Sequence, residues 1–345
     1  MITKSILHRL CKINATIFTV IVGLLSSCGK SSPAPTKVYL DDRNNIEYRE
    51  LISIEDSLPL LHAFVKMTIL GDTLIINDSQ SRNHQFYAYN VVTGRYLGAF
   101  GKYGVGPGEI ANFGLIGIAT DSGTLYGVDY NQWKVYGFDI AKALSDSTYQ
   151  PFKKVDFYSG DGTRPITRSI YLNDSTVYCA VLVPSHDYRK IGYHLGRFNL
   201  LTGRSELLDS INPDEHSGIL CKHPDKDELI EFSIEFDRIR FFDFNGNLKR
   251  MVYGPDYKDY QKRASYYEST PTIVGDNIYI VYANGGDFKD PDVGHQIIVM
   301  DLEGNYIKSI DVGIRINAIT YHPETRRMYV ATWDEPQLGY FEIDD

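Results

Sequence analysis

From residue 60 onward apolar and polar positions alternate in short runs, and almost nowhere does the apolar spacing follow the 3.6-residue period of a helix. The runs are rich in Val, Ile, Tyr and Phe and stop at Gly, Asn or Asp, which marks them as strands closed by tight turns. Two kinds of punctuation take turns along the chain. The first is a turn that opens a strand, as in Gly71-Asp72-Thr73-Leu74, Asp121-Ser122-Gly123-Thr124-Leu125 and Gly275-Asp276-Asn277-Ile278. The first apolar residues after these turns are Leu74, Leu125, Val177, Leu229, Ile278 and Met328, separated by 51, 52, 52, 49 and 50 residues. The second comes further along each copy, where an apolar strand ends in a polar residue and another turn, as at Phe138-Asp139, Phe242-Asp243 and Met300-Asp301. A further strand follows it, so every copy holds four strands.

A steady period near fifty residues is that of propeller blades, and it predicts an all-β, six-bladed β-propeller with four-stranded blades. Six such blades nearly exhaust the 318 residues from Cys28 to the end. The first strand of each copy (116–120, 318–321) reads as the most buried and the fourth as the most polar. The last copy stops at Asp345, short of an outer strand, while residues 46–54 alternate apolar and polar ahead of the first copy. This N-terminal strand is therefore expected to complete the last blade and close the ring.

The first 28 residues follow another plan. A basic start (Lys4, Arg9, Lys12) and an apolar run from Ala15 to Leu25 lead into Leu25-Ser26-Ser27-Cys28. The order is that of a secretory signal, and the apolar run is short for a membrane span. Leu-Ser-Ser-Cys resembles the lipobox of bacterial lipoproteins, which implies lipidation at Cys28 and anchoring by several acyl chains. The expected organisation is a signal peptide over 1–27, a lipidated Cys and flexible Ser/Pro tether over 28–40, and the propeller over 41–345. Surface-exported lipoproteins of the Bacteroidota carry acidic residues just after the Cys. None stands there in this chain, which points to the outer membrane and a periplasm-facing domain.

One copy carries more detail: 100–109 (Phe-Gly-Lys-Tyr-Gly-Val-Gly-Pro-Gly-Glu), then Gly117-Ile118-Ala119, Leu125-Tyr126-Gly127-Val128-Asp129 and Val135-Tyr136-Gly137-Phe138-Asp139. It resembles the NHL repeat, and the other five copies carry the pattern in degenerate form. With the lipobox and the length, the chain resembles the TolB-like or NHL-like six-bladed propeller lipoproteins of Bacteroidota. The resemblance implies a fold and an address and says little of activity. The Gly-rich stretch lacks Gly-Lys-Ser/Thr and opens a strand, so it reads as a bend through Gly104, Gly106 and Gly108 and not as a phosphate loop.

Charge narrows the partners. The formal charge is −9, and since residues 1–27 hold three bases and no acid it becomes −12 without them. Such a surface repels phosphate backbones, so no nucleic-acid partner is expected. Of four Cys, Cys11 lies in the signal and Cys28 is the lipid site, leaving Cys179 and Cys221, which read as buried small hydrophobes with pairing left open.

In a propeller the second-to-third-strand loops and the connections between blades open on one face. Here those segments bring Arg82, His84, Tyr130, Trp133, Arg164, Arg168, His186, Arg263, Arg315 and Trp333. They are the candidate ligand-binding set, with Arg donors orienting an anionic small molecule, glycan or peptide and the Trp residues stacking on it. Ordinary solvated loops would read the same way. No cofactor is predicted; a metal, were one bound, would draw on Asp129, Asp287 and Asp334. The motifs of zinc proteases, serine hydrolases and clustered Cys/His sites are missing. The reading is thus a membrane-anchored module that binds a ligand or an envelope protein, the alternative being a propeller enzyme (lactonase, lyase or glycan-active) at the channel mouth.

Overall fold

The computed structural model describes residues 35–54, 60–157, 164–184, 191–208, 218–258, 264–287, 290 and 293–344. The signal, the lipobox, His186 and Arg263 lie outside the described residues. The chain first lays down three short strands, β1 (Thr36–Tyr39), β2 (Ile46–Tyr48) and β3 (Ile52–Ser53). It then builds blade one from β4 (Lys66–Leu70), β5 (Thr73–Asn77), β6 (His84–Asn90) and β7 (Tyr96–Lys102). Blade two is β8 (Phe113–Ala119), β9 (Thr124–Asp129), β10 (Lys134–Asp139) and β11 (Phe152–Asp156). Blade three is β12 (Ile166–Asn173), β13 (Thr176–Pro184), β14 (Ile191–Asn199) and β15 (Arg204–Leu207). Blade four is β16 (Ile219–Lys222), β17 (Glu228–Phe232), β18 (Arg238–Asp243) and β19 (Leu248–Tyr253). Blade five is β20 (Ala264–Val274), β21 (Asn277–Asp287), β22 (Gln296–Asp301) and β23 (Tyr306–Asp311). Blade six is β24 (Ile316–His322), β25 (Arg327–Thr332) and β26 (Leu338–Glu342), with β3 as its fourth strand. The fold is the expected six-bladed β-propeller.

The N-terminal strand does complete the last blade, but with two residues only: Ile52 and Ser53 pair antiparallel with β26. The run 46–54 is divided. Ile46–Tyr48 instead adds to blade five, parallel to β23, and Thr36–Tyr39 adds to blade four, parallel to β19. The N-terminal segment thus laces three consecutive blades, and the propeller begins at Thr36, inside the expected tether. Alternation identifies a run as a strand without saying which edge it meets.

The burial gradient also differs from expectation. The second strands are the most buried, and the inner strands β4 and β12 are mostly half-buried. Inner strands border an open channel, whereas second strands are covered on both faces by neighbouring blades. In β5, Leu74 and Ile76 pack toward blade six while Ile75 packs toward blade two. In β21, Ile278 and Ile280 face blade four while Tyr279 and Val281 face blade six. Both faces are apolar, so these strands read as continuous hydrophobic runs, each large side chain contributing about 1.5–3 kcal/mol on burial.

One short helix, α1 (Ile140–Ser145), interrupts the pattern between β10 and β11, capped by the Asp139 side chain accepting from the Lys142 backbone N–H. Cys179 and Cys221 are free and buried in β13 and β16, and burial pushes both thiols up. Among the described residues no helix is long and apolar enough to cross a membrane.

Candidate functional site: the channel mouth

Antiparallel blades put the second-to-third-strand loops and the interblade connections on one face. There the inner strands surround a cavity of about 350 Å³. Its polar lining is Lys66 of β4, Thr167, Arg168 and Ser169 of β12, Ser269 and Thr270 of β20, and Asn317 of β24. A second cavity of about 370 Å³, sharing Lys66, Ser169 and Thr270, continues down the channel.

The mouth is made by bulges. Register slips in β12 between Thr167 and Ile170, in β20 between Glu268 and Thr272, and in β24 between Ile316 and Ala318. Arg168 and Ser269 sit at the first two with φ of 50° and 66°. A side-chain-bearing residue held there costs about 1–2 kcal/mol, and bulges recur where a strand must re-aim a side chain. Ser269 Oγ is buried without a hydrogen-bond partner among the described residues.

The electrostatics are unusual for an acidic protein. Lys66 and Arg168 face the same cavity, and no Asp or Glu is among its described lining residues. Burial, with the Arg168 charge adding to it, pushes Lys66 down to about 8. Burial lowers Arg168 too, against the opposing pull of Tyr193, Glu231 and Glu235, and its guanidinium lies 4.5 Å from the centre of the Tyr193 ring. Glu231 itself is held by its cross-strand neighbour Arg240 through hydrogen bonds of 2.7 and 2.9 Å within blade four.

Of the residues expected from sequence, Arg168 lines the mouth. Arg315 and Trp333 come together at its rim, with the guanidinium 4.1 Å from the Trp333 ring and Arg315 Nη1 donating to the Asp290 carbonyl. Trp333 meets Phe64, a lining residue, edge-on at 5.6 Å. The other described candidates are engaged within or between blades. Tyr130 donates to the Ile166 carbonyl, Trp133 packs edge-on against Phe157, and Arg82 donates to the Tyr103 hydroxyl. Arg164 is tied through its backbone to Ser205. His84 pairs with Lys102 in the blade-one ladder, and burial followed by the Lys102 charge lowers it.

The three aspartates considered for a metal do not form a shared ion site among the described residues. Asp129 corrects that expectation most directly. It is fully buried, and its carboxylate accepts from the backbone N–H groups of Ala111, Asn131 and Gln132 and from the Gln132 side chain. Asp78, at the same place in blade one, accepts from His62 and Gln80 backbone N–H groups and binds the His62 ring at 2.8 Å. One oxygen closes the blade's own turn and the other holds the incoming connection. Asp334 is an exposed loop residue, and Asp287 ends β21 opposite Ala264. The Gly-rich connection behaves as a bend: Gly104 and Gly108 have φ of 156° and 76°, and a Cβ on Gly104 would meet the Glu109 carboxylate at 2.0 Å.

Lys66 lies on a strand and not in a loop; its signal in the sequence is an isolated cation opening the inner strand Lys66-Met67-Thr68, which lines the channel.

No protein-family model matches the chain, and no curated protein matches its sequence. Solved structures resemble it in fold. A DUF4221-family protein from Bacteroides vulgatus superposes with a TM-score of 0.57 at 10% identity, covering 81% of this chain and 91% of that one. A protein of unknown function from Bacteroides thetaiotaomicron gives 0.56 at 13%, covering 85% and 76%. A gluconolactonase from Xanthomonas campestris gives 0.51 at 14%, covering 85% and 89%. At such identities the likeness is one of architecture: the chain shares the β-propeller fold with Bacteroides proteins of unknown function and with lactonase-type propellers.

Proposed function

We propose that this protein is a lipid-anchored propeller of the cell envelope whose channel mouth binds a small anionic ligand. One observation carries the reading: the half-buried ammonium of Lys66 faces a cavity, shared with Arg168, whose described lining offers no carboxylate. An ammonium partly withdrawn from water costs free energy, and an anion that enters beside Lys66 offsets that cost. The hydroxyls of Ser169, Ser269 and Thr270, the Asn317 amide and the apolar Phe64, Val65 and Leu220 complete a surface suited to a carboxylate on a polar, ring-sized body such as a sugar acid. A thermal-shift comparison of the full chain in detergent with glucuronate and glucose tests this. The acid should raise the melting temperature and the neutral sugar should not; equal responses would defeat the anion reading.

The envelope address rests on Leu25-Ser26-Ser27-Cys28 and the basic-apolar order before it. Labelled fatty acid should enter the wild type and not Cys28→Ala, and incorporation in both would remove the anchor. A periplasm-facing position makes an envelope protein a further partner. The alternative reading, a propeller enzyme, draws support from Lys66, pushed down to about 8, lining the same cavity as Ser269, whose hydroxyl has no partner among the described residues. Turnover of a sugar lactone by the full chain, lost in Lys66→Met, would favour it over binding alone.

A further inference from the structure

The channel mouth gathers backbone strain. Seven described residues other than glycine have positive φ, and three of them, Phe64, Arg168 and Ser269, line the mouth cavity. Residues held in such conformations cluster where a site needs a side chain preset. Phe64 stands out, because a bulky side chain rarely takes this region. Its φ is 65°, at the second position of the turn Ala63-Phe64 just before β4, where a positive value ordinarily calls for Gly or Asn. Although large and apolar, the residue is also 62% exposed.

The surroundings hold this conformation in place. The Asn317 amide bridges the two ends of the turn, accepting from the Val65 N–H at 3.1 Å and donating to the His62 carbonyl at 3.1 Å. One residue back, the Gln337 amide accepts from the Leu61 N–H at 3.1 Å and donates to the Leu61 carbonyl at 3.3 Å. Asp78 accepts from the His62 N–H at 3.1 Å. A turn fixed from blades one and six presents its aromatic ring in one place, so less ordering remains to be done when a ligand binds. The ring meets Trp333 edge-on at 5.6 Å, and Trp333 is backed by the Arg315 guanidinium at 4.1 Å. Most of Phe64 stays open, and it lines the same cavity as Lys66 and Arg168.

We propose that Phe64 is a preset stacking platform that selects, among acids, those built on a pyranose ring. Its side chain has no polar atom, so it offers only an apolar face. A pyranose has a matching C–H face and carries its hydroxyls at the rim, where the side chains of Ser169, Ser269, Thr270 and Asn317 line the same cavity. The inference rests on the anion reading of this cavity and adds to it the group that recognises the body of the ligand. A side chain kept only to close the fold has no reason to be both strained and exposed.

The test is calorimetric titration of three probes into the full chain in detergent: glucuronate, methyl glucoside as a neutral ring, and propionate as a ringless acid. The wild type should bind glucuronate at least about tenfold more tightly than propionate. Glycine accepts a positive φ, so Phe64→Gly should melt at or above the wild-type temperature, while its affinity for glucuronate falls about tenfold or more. Phe64→Tyr, which keeps the ring, should bind glucuronate as the wild type does. Equal affinity of the wild type for the two acids, unchanged glucuronate affinity in Phe64→Gly, or a lowered melting temperature in that variant would overturn the platform. Should methyl glucoside bind as tightly as glucuronate and both weaken in Phe64→Gly, the platform stands and the anion reading falls. Binding of none of the three would overturn both.

Discussion

Two regions of this propeller bury charge and treat it in opposite ways. At the joint of blades four and five the Asp237 carboxylate has no exposure and is surrounded by donors. Arg43 of the N-terminal segment binds both its oxygens at 3.0 and 2.9 Å, the Tyr267 hydroxyl donates at 2.8 Å, and the Asp256 backbone N–H adds a fourth contact at 3.1 Å. At the channel mouth Lys66 and Arg168 are half-buried and line one cavity with no carboxylate in its described lining. The first arrangement pairs its charges directly and ties the N-terminal segment to blades four and five. The second leaves the Lys66 ammonium facing a cavity without a carboxylate in its described lining, which is where we propose that a ligand's negative charge enters.

The contrast is broken most severely at the joint. Arg43→Ala or Asp237→Asn leaves a buried charge or its donors without partners and is expected to lower stability by about 3–5 kcal/mol in urea unfolding. The double variant should lose far less than the sum, because removing both partners leaves no orphan. Asp129→Ala, which strands three backbone N–H groups and one side-chain amide, should cost about 2–3 kcal/mol by the same assay. At the mouth the direction reverses: Lys66→Met should leave stability unchanged or slightly raised while abolishing the melting shift given by glucuronate.

The smallest effect is one of pH. The folded chain holds the Lys66 proton with a value near 8 against an ordinary 10.5, so the unfolded chain binds that proton more tightly. The Lys66 contribution therefore makes stability rise with pH between those values, and it should vanish in Lys66→Met. Anion binding runs the other way: it needs the charged amine and should weaken above about pH 8, while binding near that pH takes up protons from the buffer.

The architecture was legible because a propeller repeats its punctuation. Six openings at near-equal spacing, from Leu74 to Met328, set the blades, and the turns at Gly71 and Asp121 fell where strands begin. The lacing of β1 and β2 was not legible, since Tyr39 and Tyr48 alternate in the same way whichever blade receives them. The site was legible in part. Loop polarity pointed to Arg168, Arg315 and Trp333, but it equally singled out Tyr130 and Asp129, whose polar groups turn inward to tie connections between blades. A polar loop residue that caps a turn and one that faces a ligand look alike in sequence, and only the direction of the side chain separates them. Lys66 lay on a strand, where a cation is read as a solvated edge until the channel around it is known.

The most direct test of the account is a calorimetric titration of glucuronate into the wild-type chain and Lys66→Met at pH 7. Saturable one-to-one binding to the wild type is expected, with a loss of about tenfold or more in affinity for the variant on removal of a charge-assisted contact. Equal affinity in the two proteins would contradict it.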